Sequence, residues 1–186
     1  MMSYPKILTI QDLSCLGQCS LTVALPILSA CGIETCVLPC AVLSTHTTGF
    51  SGYTFRDLTD DMLKIQAHWK REGITFDALY TGYLANKKQI LCVREILSDV
   101  KKTNGMVIVD PAMADEGTLY PGLDEGFAEA MRGLCQAADY IMPNVTEASL
   151  LAGVEYRAVY DADYIDLLLQ KLLQLGCRNV VLTGVS

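Results

Sequence analysis

The sequence has no long hydrophobic run, no cluster of basic residues and only 2 histidines. No apolar stretch approaches the roughly 18 residues that a membrane-spanning helix needs, and residues 1–6 are too few and too polar for a signal peptide. The 14 Lys and Arg residues are outnumbered by 21 Asp and Glu residues, for a formal net charge of -7. These absences predict a cytoplasmic protein that binds neither membranes nor nucleic acids.

Cysteine pairs with the spacing of a zinc site are also missing, although the chain has 8 cysteines. Three residues separate Cys15 from Cys19, and three separate Cys36 from Cys40, so neither pair is a CxxC motif. The histidines are not placed to complete a metal site with them. Without a secretory signal, the cysteines are predicted to be reduced residues, most of them in the core.

The sequence does contain apolar strand-like segments that alternate with amphipathic helical segments. Its 186 residues, 51% of them hydrophobic, are enough for one domain with a sizeable core. The alternation predicts an α/β fold with a mainly parallel central sheet and helices on both faces. No repeat or linker divides residues 1–186. The predicted strands are 6–11, 34–43, 77–83, 106–109, 140–142 and 179–183, and the predicted helices are 19–31, 59–71, 87–102, 124–137, 144–151 and 162–175.

The segment 140–151 is predicted to switch from strand to helix, which is where open α/β sheets bind their ligands. Pro143 ends the apolar strand and Asn144 begins the helix. Asn144 and Glu147 have the spacing of a capping box, in which each side chain bonds the backbone of the other residue. The same two side chains could instead be presented to a ligand. The local sequence leaves both interpretations open. If Glu147 only caps the helix, Glu147→Gln is expected to cost little stability.

Polar side chains also follow the other predicted strands. Taken singly, each is as consistent with a turn or a helix cap as with a ligand contact. Taken together, they concentrate carboxylates at one edge of the sheet, which is costly unless a cation lies there. These strand-end residues are Asp12, Thr81 to Tyr83, Asp110, Asn144 and Thr183.

The chain resembles the pyridoxal kinase family of the ribokinase superfamily, in order and spacing along essentially its whole length. The motifs that carry the resemblance are Ile-Leu-Thr-Ile-Gln at 7–11, Ser-Thr-His-Thr at 44–47, Thr-Gly-Tyr at 81–83, Val-Asp-Pro at 109–111 with Asp115, Gly-Thr-Leu-Tyr at 117–120, and Pro-Asn-Val-Thr-Glu at 143–147. The family phosphorylates the 5'-hydroxymethyl group of pyridoxal, pyridoxine or pyridoxamine with MgATP. The resemblance implies a ribokinase-like fold, a homodimer, ATP and Mg²⁺, with K⁺ as an optional further cation.

Position by position, the resemblance implies two groups of site residues. The substrate group is Asp12, Thr47 and Tyr83, beneath a flap at about residues 44–56. Asp12 stands where the family usually has a serine, so the preference among substrates is open. The nucleotide and phosphate group is Asp110, Asp115, Tyr120, Asn144 and Thr183, and the metal residues are Glu147 and Asp110.

The family's Gly-x-Gly-Asp segment, which supplies the catalytic base, has no counterpart in residues 1–186. We therefore expect the sequence to be the N-terminal part of a kinase, truncated on the C-terminal side of the sheet. No catalytic residue is assigned within it, and we expect the chain to be inactive by itself.

Three alternatives stay open beside a vitamin B6 kinase. Asp12 keeps the hydroxymethylpyrimidine kinase branch of the same superfamily possible. The absent base favours a non-catalytic module that holds a pyridine ligand or a partner subunit. A flavodoxin-like receiver or flavin carrier uses similar strand-end acids, but it gives no reason for the flap.

Overall fold

The computed structural model describes residues 4–47 and 49–185. It forms two compact units, one reaching to Met106 and the other starting at Val107. Whether they act as the single domain predicted for residues 1–186 stays a prediction. No helix in the described part of the chain is long and apolar enough to cross a membrane.

The first unit is a sheet with the strand order β3-β2-β1-β4-β5. Strand β1 pairs in parallel with β2 and β4, whereas the short β3 runs antiparallel to β2. Successive residues of β1 from Ile7 to Asp12 are buried, so both faces of this strand are covered. The elements are β1 (Lys6–Ser14), α1 (Leu21–Ala30), β2 (Glu34–Leu43), β3 (Phe55–Asp57), α2 (Thr59–Arg71), β4 (Phe76–Thr81), α3 (Lys87–Val100) and the first part of β5 (Lys101–Val109).

The second unit starts within β5, which pairs in parallel with β8. A two-stranded hairpin, β6 with β7, follows β5. Asp124, Asn144 and Asp161 cap the three helices, each accepting a hydrogen bond from a backbone N–H of the first turn. The remaining elements are β6 (Ala114–Asp115), β7 (Thr118–Leu119), α4 (Glu125–Gln136), β8 (Tyr140–Ile141), α5 (Val145–Ala152) and α6 (Ala162–Gln174).

The predicted α/β class with a mainly parallel sheet is confirmed, and most predicted elements are present. Strand β1 runs to Ser14 rather than ending at Gln11, so Asp12 lies within the strand. The pairing of β1 with β2 is irregular beside Pro39, because Gln11 pairs with Pro39 and Leu13 with Val42. Two residues of β2 therefore lie opposite Asp12 alone, which is the arrangement of a β-bulge.

The predicted strand 179–183 is wrong. Val180 and Thr183 make only isolated parallel bridges, to Ile141 and Asn144 respectively. Strand β8 has two residues, and Pro143 has no N–H with which to extend the ladder. Strands β3, β6 and β7 were not predicted, because segments of two or three residues are too short to show a strand periodicity.

Candidate functional site

In the first unit, the structure brings Asp12 and Tyr83 together. Asp12 is only 4% exposed near the carboxyl end of β1, and its Oδ2 accepts a hydrogen bond of 3.0 Å from Ser14 Oγ. Tyr83 follows the carboxyl end of β4. Burial raises the pKa of Tyr83 to about 12, with smaller contributions from the nearby Cys40 and Asp12. These two predicted substrate residues therefore share one largely desolvated environment.

Thr47 is half-buried in the loop that was predicted to be a flap. The loop is closed at its base, because Ser44 N donates to Thr54 O at 3.1 Å and Thr54 N donates to Ser44 Oγ at 2.9 Å. Thr48, within the predicted flap, lies outside the described residues. The chain then returns along β2 as β3, so the predicted range 44–56 consists of a loop and most of a return strand.

The loop after β1 approaches the start of this flap closely. Gly17 has a φ of +109°, and a Cβ atom there would come within 2.4 Å of the His46 ring. His46 N donates to Leu16 O at 3.2 Å, and its ring makes an edge contact with Phe50 at a centroid distance of 5.1 Å. A side chain at position 17 would therefore displace the flap residue that precedes Thr47.

Two further polar residues lie near the ends of β1 and β4: Gln11, which was missed as a site candidate, and Thr81, which was predicted only as a strand-end residue. Thr81 is fully buried, and its hydroxyl has no hydrogen-bond partner among the residues that the structure describes. Gln11 is 4% exposed and lies so close to Gly82 that a Cβ atom there would meet Gln11 Oε1 at 2.7 Å. The sequence signal was a glutamine and a threonine inside otherwise apolar strands, where buried polar groups need partners.

In the second unit, Glu147 forms the predicted capping box. Its Oε2 accepts from Asn144 N at 2.9 Å, and Asn144 Oδ1 accepts from Glu147 N at 2.8 Å. The other carboxylate oxygen, Oε1, accepts from Met113 N at 2.9 Å and from Ala114 N at 3.4 Å. Asn144 Nδ2 donates to Ala114 O at 2.8 Å. The cap interpretation is confirmed, and the same side chains also fix the loop after β5 to the start of α5.

Asp110 and Glu147 form a pair of carboxyl groups in which the charge of Asp110 acts on Glu147. Burial raises the pKa of Asp110 to about 6, and Ala112 N, which donates to Oδ1 at 3.2 Å, offsets part of this rise. Burial likewise raises the pKa of Glu147 to about 7, opposed by its hydrogen bond from Asn144 and reinforced by the charge of Asp110. No ion pair within residues 4–47 and 49–185 includes either carboxyl group.

The other nucleotide candidates lie around this carboxyl pair. Burial raises the pKa of Tyr120 to about 12, with further contributions from the charges of Glu147, Asp115 and Asp110, which we call the acidic cluster. Asp115 is exposed in β6. Thr183 lies beside the strand-to-helix switch, where its N–H donates to Pro143 O at 2.9 Å.

This carboxyl pair fits a hydrated Mg²⁺ ion better than a closed metal cage. Among the described residues, no group of three or more His, Cys, Asp or Glu side chains could hold a metal. Mg²⁺ usually keeps several waters and takes only one or two carboxylates. Two acids with raised pKa values, without a cationic partner in the described part of the chain, are consistent with that type of binding.

The fold is that of a ribokinase-like α/β domain. Residues 25–186 match the family described as phosphomethylpyrimidine kinase. The chain belongs to this family, as a relative of the pyridoxal kinases within the ribokinase superfamily.

Solved structures of family members superpose over almost the whole chain. A protein from Bacteroides thetaiotaomicron, provisionally described as a phosphomethylpyrimidine kinase and crystallised with pyridoxal, has a TM-score of 0.93 at 40% identity, covering 99% of this chain and 64% of that one. Pyridoxal kinase from Lactobacillus plantarum has a TM-score of 0.89 at 34% identity, covering 99% and 65%. Pyridoxal kinase from Leishmania donovani, in complex with ADP and pyridoxamine, has a TM-score of 0.85 at 25% identity, covering 97% and 63%.

Curated relatives include kinases for two kinds of substrate. The pyridoxal kinase of Dictyostelium discoideum is 28% identical over 188 residues, covering 97% of this chain and 60% of the relative. The hydroxymethylpyrimidine/phosphomethylpyrimidine kinase of Haemophilus influenzae is 34% identical over 104 residues, covering 55% of this chain and 36% of the relative. The chain thus spans less than two thirds of the length of each of these proteins.

Proposed function

We propose that this chain belongs to a vitamin B6 kinase, which transfers the terminal phosphoryl group of ATP to the 5'-hydroxymethyl group of pyridoxal, pyridoxine or pyridoxamine. The observation that carries the proposal is the carboxyl pair of Asp110 and Glu147 beside Tyr120, which no cationic side chain neutralises among the described residues. Capping accounts for Glu147, but a module that only held a pyridine would give no reason for a second buried acid, Asp110, whose charge acts on it. A kinase needs a cation near its phosphates.

In this proposal, the first unit binds and orients the pyridine ring. The ring of Tyr83 offers a stacking surface. Ionised Asp12 can accept a hydrogen bond but cannot donate one, which favours a protonated ring nitrogen or an amine. Thr47, in the flap, would contact the ring substituents. Together these contacts would keep the hydroxymethyl group oriented for transfer.

In the second unit, Asp110 and Glu147 would hold Mg²⁺, and Asp115, Tyr120, Asn144 and Thr183 would surround the nucleotide phosphates. Mg²⁺, when bound, neutralises phosphate charge and orients the transferring group. The capping hydrogen bonds fix the orientation of the Glu147 carboxylate before any ligand arrives. The K⁺ ion and the cytoplasmic location stay predictions.

Pyridoxal binding tests this proposal directly. We expect calorimetric titration to show saturable binding of pyridoxal to the protein. Tyr83→Ala should weaken the affinity about two- to twelve-fold, since stacking contributes about 0.5–1.5 kcal/mol. Tyr83→Phe keeps the ring and is the matched control, with affinity close to that of the wild type. The absence of saturable binding, or an affinity that Tyr83→Ala does not change, would refute the proposed substrate site.

A hydroxymethylpyrimidine kinase is the second candidate, favoured by the description of the matching family and by Asp12. Asp12 could accept a hydrogen bond from an exocyclic amine of a pyrimidine. Competition decides between the candidates: hydroxymethylpyrimidine should displace pyridoxal only at much higher concentration if the vitamin is the substrate. Asp12→Ser should then change the ratio of the two affinities. A constant ratio would show that Asp12 does not contact the ligand.

We also propose that the protein forms a homodimer through α1, which exposes two large apolar side chains. Leu25 is 40% exposed and Ile27 is 58% exposed, and Leu16, in the preceding loop, is 58% exposed. Apolar groups exposed together commonly mark an interaction surface. Sedimentation velocity should give a dimer for the wild type and a monomer for Ile27→Glu. Equal sedimentation of the two proteins would contradict this surface.

A further inference from the structure

Gln89 is a fully buried glutamine in the first turn of α3. Both the oxygen and the nitrogen of its side-chain amide form hydrogen bonds. Its Oε1 accepts from Ala85 N at 2.7 Å. Its Nε2 donates to Cys40 O at 2.9 Å and to Thr59 Oγ1 at 3.0 Å. One side chain therefore joins the loop after β4, the bulge of β2 and the start of α2.

Through Cys40, this amide reaches the backbone of Tyr83. The Cys40 thiol donates to Tyr83 O at 3.2 Å, while Cys40 O accepts from both Gln89 Nε2 and Leu58 N. Burial raises the pKa of the Cys40 thiol, so the sulfur keeps the proton that it donates. The position of the Tyr83 backbone is thus coupled to the position of Gln89 through a single residue.

On its other side, Gln89 reaches the return strand of the flap. Asp57 is the last residue of β3, and its Oδ1 accepts from Thr59 N at 2.6 Å. Its Oδ2 accepts from Asn86 Nδ2 at 2.9 Å, and Gln89 Nε2 lies 3.4 Å from Oδ1. Buried polar networks that are fully satisfied hold their members in one arrangement. The end of the flap is therefore bound to the same turn of α3 that fixes the loop containing Tyr83.

We propose that Gln89 is a positioning residue, which couples the Tyr83 loop to the return strand of the flap so that the two sides of the substrate pocket keep a fixed separation. The relevance of Tyr83 to substrate rests on the proposed function. The coupling itself rests only on the hydrogen bonds of Gln89. Gln89 would act through the Tyr83 loop and the return strand, without contacting the substrate itself.

Hydrogen exchange measured by mass spectrometry tests the coupling without any ligand. Gln89→Met keeps the length of the side chain but removes its donor and acceptor. We expect amide exchange to rise about ten-fold or more in residues 55–58 and 83–86 and to stay unchanged in β1. The matched control is Gln66→Met, because Gln66 is also buried and donates to Asp99 on α3. Gln66→Met should leave amide exchange in both segments unchanged.

Thr59→Val is a milder second variant, which removes one acceptor of Gln89 and keeps the shape of the side chain. It should raise exchange in the same two segments by a smaller factor, and it decides the question if Gln89→Met does not fold. Unchanged exchange in either segment would overturn the coupling. An equal rise throughout the residues up to Met106 would also overturn it, because that result means general destabilisation.

Pyridoxal titration then separates a positioning role from a structural one. We expect Gln89→Met to weaken pyridoxal binding about ten-fold while MgATP binding and the Gln66→Met control stay at wild-type values. Faster exchange with unchanged pyridoxal affinity would overturn the positioning role. If the wild type itself does not bind pyridoxal, the proposed function fails, and the exchange data alone decide whether Gln89 couples the two segments.

Discussion

The ionisation of Glu147 should make the stability of the protein depend on pH in a way that Glu147→Gln removes. Glu147 is 2% exposed, and its carboxylate accepts hydrogen bonds from three backbone N–H groups. Burial nevertheless dominates and raises its pKa from 4.5 to about 7. The hydrogen bonds therefore recover only part of the cost of placing this charge inside the protein.

The direction of the effect follows from the two pKa values. A folded-state pKa of about 7 lies above the ordinary value of 4.5, so the folded protein holds the proton more tightly than the unfolded chain does. The contribution to stability is fully present below pH 4.5 and is lost as the pH rises to about 7. At about 1.4 kcal/mol for each pH unit, the loss approaches about 3 kcal/mol. Asp110, with its pKa raised to about 6, adds a loss in the same direction.

Glu147→Gln replaces the acid by a neutral side chain of the same shape. Glutamine retains one oxygen acceptor where the carboxylate has two, so one of the N–H groups of Asn144 and Met113 loses its partner. The expectation that the change costs little stability considered only the Asn144 contact. At pH 5 the wild type is also neutral at this position, and we expect the variant to be less stable by about 1 kcal/mol. At pH 8 the variant should be more stable than the wild type by about 2 kcal/mol.

Urea unfolding at pH 5 and pH 8 in EDTA measures this reversal. Glu125→Gln is the control, because Glu125 is exposed in the first turn of α4 and should show no such reversal. Adding Mg²⁺ with ATP at pH 8 should raise the free energy of unfolding of the wild type more than that of Glu147→Gln, since a bound cation favours the ionised carboxylate. Parallel pH profiles would refute the buried titration, and equal responses to MgATP would refute the metal role.

Two further predictions test other features of the structure. Thr81→Val should leave stability unchanged or raise it by up to about 1 kcal/mol, because the buried hydroxyl has no partner to lose; a thermal melt that shows clear destabilisation would contradict this. Arg132→Met should cost about 1–3 kcal/mol in urea unfolding, because Arg132 donates to Leu151 O at 2.8 Å and Leu150 O at 3.1 Å at the end of α5. Arg178→Met, which removes an exposed ion pair, should cost under about 1 kcal/mol, and equal costs would contradict the capping role of Arg132.

Elements with a long periodic pattern could be predicted from the sequence, whereas short ones could not. Helix α3 has buried residues at helical spacing along 14 residues, and its predicted start at Lys87 is confirmed. Strand β3 has three residues, all exposed, so no alternation distinguishes it from a loop. It forms because β2 offers it an edge to pair with, which is information that the segment itself does not contain.

The site could be predicted only as far as local motifs reach. The alternation of strands and helices placed the polar residues at strand ends, and the capping box was recognisable from its spacing. The hydrogen bonds that Gln89 makes to Cys40 and Glu147 makes to Met113 join residues 49 and 34 positions apart, and no local pattern encodes them. The available signal was a glutamine on the apolar face of a helix, a position that is unfavourable unless its amide is satisfied.

Glu147 also shows why the cap and the metal interpretations need not compete. One carboxylate oxygen bonds the N-cap backbone, and the other bonds the loop that follows β5, close to Asp110. The cap therefore orients the carboxyl group toward the acidic cluster instead of withdrawing it. Burial raises both pKa values and so disfavours the ionised form of the two acids, and a bound cation would oppose this by stabilising the ionised carboxylates. Capping then supplies the rigidity that a binding carboxylate needs, so a single side chain can serve both the helix and the ligand.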